Sequence, residues 1–337
     1  MDLFGDLPEP EQNKNDERKA KRSHDDKVSE DETKAKKSQM ISMTDYKDNE
    51  IIGLHSYVAE RKGERDEMQD THVNIDNFTS NVDNLHHTIK RLAYYGVYDG
   101  HNGSRAAKYC EENMHVILAK KLAKANYSTI DKDIKKYFIE TYKKVDDAFL
   151  AKASQTKPSW KDGSTSTSIL IVNNIAYVAS VGDSKAVLYR FDEKKNSLTG
   201  LTLTTDHNPT SYEERMRIQK AGGTVKDGRV LGHLEVSRSI GDGQYKNHGV
   251  SCIPDVKRCN ITETDRFLVI ACDGLWKRFS VQEISELLPS TVDPAEDIDK
   301  LLESLSTKLV NMAIKGLVAD NVTICIVALL KRPLTPQ

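Results

Sequence analysis

From Gly53 onward the chain is punctuated by apolar runs of strand length. The longest, Leu92–Tyr98, Phe267–Cys272 and Val322–Leu330, are apolar at almost every position, the pattern of buried strands. Shorter β-rich runs are Gly53–Val58, Asp70–Ile75, Ala93–Tyr98 (within the first long run), Ser164–Val172, Ala176–Ser180, Ala186–Phe191 and Leu201–Thr205. Between them the period changes to that of a helix. Ser104–Lys124 sets Ala107, Cys110, Met114, Ile117, Leu118 and Leu122 on one face, and Asp131–Ala153 does the same with Ile134, Phe138, Tyr142, Val145 and Phe149. Further helices are expected over Tyr212–Ala221, Val281–Leu287 and Asp299–Lys315. Strands and helices thus come in blocks, which predicts an α+β layer fold with largely antiparallel sheets rather than a doubly wound one.

Two of the longest runs end in the same dipeptide, Asp99-Gly100 and Asp273-Gly274, and the third is preceded by Asp320-Asn321. Each alone is ordinary turn chemistry beside a strand. Together they deliver three carboxylates to the mouths of core strands, which is costly unless positive charge sits among them. Hard, oxygen-seeking cations meet that need, so the pattern reads as a metal centre.

Composition sharpens the domain picture. The 337 residues carry a formal net charge of −2, so no global field points to nucleic acid or membrane. Five scattered cysteines without zinc-like spacing suit a reducing compartment and argue against a disulfide framework. Residues 1–50 are densely charged with few apolar positions, and are expected to be a disordered tail. Arg18–Arg22 and Lys34–Lys37 in that tail resemble a bipartite nuclear import signal, so the expected location is cytoplasmic, nuclear or both. Leu3–Pro8 is a small apolar-acidic island that suits a docking peptide or a bare terminus. The folded domain is expected over 51–332, with a short tail at 333–337.

Four further motifs fall in order around the Asp-Gly sites: Arg65–His72, Trp160–Thr167, Ala179–Lys185 and Val236–Asp242. The series resembles the protein phosphatase 2C family of metal-dependent serine/threonine phosphatases, from about Gly53 to about Leu330. The resemblance implies a four-layer sandwich of two antiparallel β-sheets flanked by pairs of helices, with two Mn²⁺ or Mg²⁺ ions per subunit in a cleft at one edge. It implies that Asp99, the Gly100 carbonyl, Asp273 and Asp320 hold the ions, that Asp70 lies beside them, and that Asp183 joins a weaker third site. A hydroxide bridging the ions would attack phosphorus, Arg65 would bind phosphate oxygens, His101 would protonate the departing serine or threonine oxygen, and Thr165 would line the cleft. Asp242 matches a family loop carboxylate. The substrates implied are phosphoserine and phosphothreonine proteins, met by a monomer. Within the family, Met1–Glu9, Glu213–Gly223 and Gly228–Gly232 carry a likeness that implies integrin-linked kinase or its pathway as a partner.

Three positions depart from the common family pattern. Gln69 replaces a Glu that holds metal-bound water, which should weaken metal binding. Asn102 replaces a Gly, and Asn tolerates the left-handed backbone. Lys277 replaces an Asp associated with a third ion, which puts that ion's site in doubt. Cys252–Arg258 and Cys272–Arg278 fit the bare spacing of a thiolate phosphatase, but Pro254 and Asp255 in one and Asp273 in the other oppose a phosphate-cradling loop. A Gly-Asp-Ser esterase reading of Gly182–Ser184 lacks a downstream Asp and His pair. The rival from another class is a catalytically silent module that uses the fold to bind a kinase.

Overall fold

The computed structural model describes residues 53–292, 297–315 and 320–330. The charged tail with its basic clusters, the apolar island, the 333–337 segment and the expected domain boundaries lie outside the described residues.

Ten strands build the main sheets: β1 (Gly53–Arg61), β2 (Thr71–Ile75), β3 (Leu92–Tyr98), β4 (Ser166–Val172), β5 (Ile175–Val181), β6 (Lys185–Asp192), β7 (Ser197–Thr202), β8 (Asp255–Asn260), β9 (Asp265–Ala271) and β10 (Val322–Leu330). One sheet runs β1-β10-β9-β6-β7 and the other β8-β5-β4-β3-β2. Every neighbouring pair is antiparallel.

Burial on both faces is why the long strands are apolar throughout. Along β10, Cys325, Val327 and Leu329 enter a core between the sheets, where Tyr95 and Val97 of β3 also lie. The alternate residues Val322, Ile324, Ile326 and Ala328 pack outward, with the apolar stripes of α4 (Val281–Leu287) and α5 (Ile298–Ile314). On the opposite face of the second sheet, Leu92, Tyr94 and Tyr98 meet α1 (Arg105–Leu122) and α2 (Tyr127–Ser154). The result is helix pair, sheet, sheet, helix pair. Among the described residues no helix is long and apolar enough to cross a membrane.

Three local differences from the sequence expectation have physical causes. Helix α2 starts at Tyr127, earlier than Asp131, because the Asn126 side chain accepts the Thr129 N–H and caps it there. The run Ser164–Val172 breaks at Thr165. Gly163–Ser164 leaves to pair with Gly100–His101 and Ile240–Gly241 in a small sheet of its own. Strand β8 was not expected; it is an edge strand with only Val256 and Cys259 as apolar residues, too few to register.

A satellite core of Ile218, Val230, Leu234, Val236, Tyr245 and Val250 carries α3 (Tyr212–Lys220) and the segment after it. Its polar hub is Glu214, whose carboxylate accepts from Arg217 at 2.7 Å, Arg238 at 2.7 Å and the Ser237 hydroxyl. Burial pushes the Glu214 pKa up, but these donors reverse the effect and hold it well below the usual carboxylate range. Arg238 also reaches Asp255 at 2.8 Å, joining the satellite to β8. Glu214→Gln is expected to cost about 3 kcal/mol at neutral pH, since it leaves two guanidinium groups short of a counter-charge. Because the folded pKa is depressed, the wild-type advantage is full above the ordinary value of 4.5 and is lost as pH falls below it. Urea melts of both proteins at pH 7 and pH 4 check this; an advantage that grows on acidification contradicts it.

Candidate active site

Antiparallel register collects the sequence-predicted carboxylates at one edge of the sandwich. Asp99 follows the end of β3, where Tyr98 pairs with Thr71, the residue after Asp70. Ser166 at the start of β4 pairs with Val181, two residues before Asp183. In the other sheet Ala271 pairs with Ile324, which sets Asp273 near Asp320. A cleft of about 910 Å³ opens there, lined by Arg65, Gln69, Asp99, Gly100, His101, Thr165, Asp183, Asp273, Lys277 and Asp320. Asp70 lies beneath it, buried at 4% exposure.

These carboxylates raise one another's pKa. Burial and then Asp70, Asp273, Asp183 and Asp320 push Asp99 well above the usual range. Burial lifts Asp70 to about 6 against the Thr323 hydrogen bond, and burial with Asp273 lifts Asp183 to about 7. Asp70 Oδ2 accepts from Thr323 Oγ1 at 2.8 Å, while its buried Oδ1 has no hydrogen-bond partner. Asp70, Asp99 and Cys272 each bring a ligand atom within 4.8 Å of the others. Cys272 is no soft ligand. Its thiol is pushed well up by burial and by Asp70 and Asp99. The donor set is therefore oxygen-rich, crowded with charge and partly unsatisfied, and it fits a hard divalent cation.

Cations already sit on two of the carboxylates. Lys277 Nζ lies 2.5 Å from Asp273 Oδ2 and 3.7 Å from Asp320 Oδ2, and Arg65 Nη2 lies 3.0 Å from Asp320 Oδ1. Burial raises Asp273 more than the Lys277 contact lowers it.

His101 is held from behind. Its Nε2 lies 2.7 Å from Asp242 Oδ2, which also accepts from Ser239 Oγ at 2.7 Å. Burial opposes the imidazolium, but fully buried Asp242 outweighs it and raises the His101 pKa. Gly163 packs on this pair: a Cβ there would fall 2.1 Å from Asp242 Oδ2 and 2.2 Å from His101 Nε2. The residue after His101, Asn102, has φ of 58°, so an Asn does stand in the left-handed region here. Thr165 lines the cleft, yet its hydroxyl accepts the Asp99 N–H at 3.2 Å and bonds Ser184 Oγ at 2.8 Å. Its contacts position Asp99 and occupy the serine of the esterase reading. The thiolate readings find no support either, since burial and Asp146 push Cys252 up to about 12.

The protein phosphatase 2C family model matches residues 54–322. This chain belongs to the protein phosphatase 2C family. Among phosphatase 2C relatives, it is 47% identical over 285 residues to the Rattus norvegicus integrin-linked kinase-associated serine/threonine phosphatase 2C, covering 82% of this chain and 73% of that protein. The Bos taurus protein of the same name is 41% identical over 371 residues, covering 97% of this chain and 99% of its own. The Schizosaccharomyces pombe protein phosphatase 2C homolog 2 is 36% identical over 292 residues, covering 82% of this chain and 73% of that one. Among solved structures, a Caenorhabditis elegans sex determining protein aligns with a TM-score of 0.69 at 23% identity, covering 83% of this chain and 65% of that one. The Toxoplasma gondii serine-threonine phosphatase 2C aligns with a TM-score of 0.67 at 20% identity, over 82% and 95% of the two chains. These structures share the phosphatase 2C fold.

Sequence reading missed two parts of this phosphatase 2C cleft. Asn321 ties down the loop that carries Arg65: its Nδ2 donates to the Lys62 and Glu67 carbonyls at 2.7 and 3.1 Å, and its Oδ1 accepts the Gln69 N–H at 2.8 Å. Its place beside Asp320 was the available signal. The wall formed by Arg229, His233 and Glu235 was also missed, because it is polar and irregular.

Proposed function

We propose that this chain is a metal-dependent protein serine/threonine phosphatase that hydrolyses phosphoserine and phosphothreonine in proteins. The observation that carries the reading is the meeting of Asp70, Asp99, Asp183, Asp273 and Asp320 with Arg65 and His101 at one cleft. Asp99, the Gly100 carbonyl, Asp273 and Asp320 would hold two Mn²⁺ or Mg²⁺ ions, with Asp70 alongside and Asp183 toward a further one. Such ions, when bound, neutralise the phosphate dianion and make water a nucleophile near neutral pH. Arg65 offers a planar fork of donors to the phosphate oxygens from the cleft mouth, where it is 57% exposed. As the bond from phosphorus to the serine or threonine oxygen breaks, that oxygen takes a proton from His101. Asp242 occupies Nε2, which leaves Nδ1 as the donating atom.

The names of the 41–47% identical relatives extend the proposal to integrin-linked kinase or its pathway as a partner, in the cytoplasm, the nucleus or both. They also support the second reading, a silent module that binds a kinase. Protein stripped of metal and assayed on a phosphothreonine peptide separates the two. Turnover that returns with Mn²⁺ or Mg²⁺ and vanishes with EDTA supports the enzyme. No turnover together with no metal binding leaves the module.

A further inference from the structure

We infer that Lys277 is a built-in counter-ion that competes with divalent cations for Asp273 and Asp320 and so sets the metal affinity of the cleft. The inference rests on the metal-dependent reading above and extends it to a residue with no catalytic part in that reading.

Lys277 immediately follows the single helical turn Asp273–Trp276, which starts at a proposed metal ligand. That turn places the Lys277 side chain one helical step from Asp273, so its ammonium returns over the carboxylate at 2.5 Å and reaches Asp320 at 3.7 Å. A second oxygen of Asp320 is taken by Arg65 at 3.0 Å. Both carboxylates expected to grip metal therefore already have cationic partners from their own chain. A carboxylate oxygen in close contact with an ammonium cannot also take a divalent ion at bonding distance without moving the ammonium away. Metal uptake is thus an exchange, and its free energy is reduced by what the ammonium contributed. The displaced side chain is half exposed, so it has solvent to move into.

The same contact explains why the cleft tolerates its own charge. Five carboxylates crowd this edge, and the Lys277 ammonium on Asp273 and Asp320 offsets part of their mutual repulsion. An acid at position 277 would instead add charge and invite a further ion. Lys277 therefore trades metal affinity for a cleft that holds together at low metal concentration.

The test is calorimetric titration of Mn²⁺ into metal-stripped wild type, Lys277→Ala and Lys277→Arg, with thermal melts in EDTA. Lys277→Ala is expected to bind Mn²⁺ about ten-fold more tightly, a modest figure because the site is half open to solvent. Its melt in EDTA is expected at a lower temperature than wild type, since Asp273 and Asp320 then repel without a counter-charge. Lys277→Arg keeps the charge and is expected to bind within about three-fold of wild type. Unchanged or weaker Mn²⁺ binding in Lys277→Ala overturns the inference, as does equal tightening in Lys277→Ala and Lys277→Arg, which would point to packing rather than charge. A wild-type chain that binds no Mn²⁺ overturns the metal reading itself. One that binds Mn²⁺ but turns over no phosphopeptide overturns only the phosphatase reading.

Discussion

Asp99→Asn is expected to lower kcat on a phosphothreonine peptide by roughly 10³-fold or more, some 4 kcal/mol of barrier. The residue sits at the centre of the carboxylate cluster, where burial and four other aspartates hold its pKa far above the ordinary value. Burial and like charges disfavour the ionised form there, so a bound cation is what would favour it. An amide removes one negative charge from the cluster and offers a weaker ligand. Stability should therefore move in opposite directions. In EDTA the variant is expected to melt at or above the wild-type temperature, because repulsion is relieved; with Mn²⁺ the wild type gains stability and the variant gains far less. Thermal melts with and without Mn²⁺ decide it. A variant that melts well below wild type in EDTA would mark Asp99 as a structural group.

His101→Gln is expected to lose about 10²- to 10⁴-fold in kcat on phosphothreonine peptide, the usual range for a lost general acid. The argument turns on the leaving group. An alkoxide needs a proton as it departs, whereas the nitrophenolate of p-nitrophenyl phosphate does not. On that substrate the loss should be less than about ten-fold. Asp242→Asn should show the same substrate-dependent pattern in weaker form, since it acts through the 2.7 Å contact to Nε2. Equal losses on both substrates would assign His101 to binding or packing. The comparison needs no structure of the variants, because each enzyme serves as its own control.

The sequence marked the individual ligands more clearly than their meeting. Asp99 and Asp273 stand out because each ends an apolar run whose burial forces the polar residue to the strand mouth. Their convergence depends on which strands pair and in what register, which no local pattern encodes; the repeated Asp-Gly strand ends suggested it, and the likeness to a known family supplied the ligand set. Asp242 and His101 lie 141 residues apart and meet through a three-stranded sheet whose members are two residues long, far below any periodic signal. Lys277 was legible as a departure but not as a contact. Edge strand β8 failed for the opposite reason to the core strands: Lys257, Arg258 and Asn260 are exposed along it, so it reads as loop.

The satellite core behind the cleft wall has a bearing on how such an enzyme acquires new targets. Ile218, Val230, Leu234, Val236, Tyr245 and Val250 pack with one another and not into the sandwich. Ionic contacts and hydrogen bonds tie this unit to the catalytic layers, among them Arg238 to Asp255 and, at its root, His207 to the Gly182 N–H. The wall beside the cleft can then change its polar residues, such as Arg229, His233 and Glu235, without repacking the layers that hold the aspartates. Recognition and chemistry are foldwise separable, so selection for a different phosphoprotein can act on one while the other stays as it is.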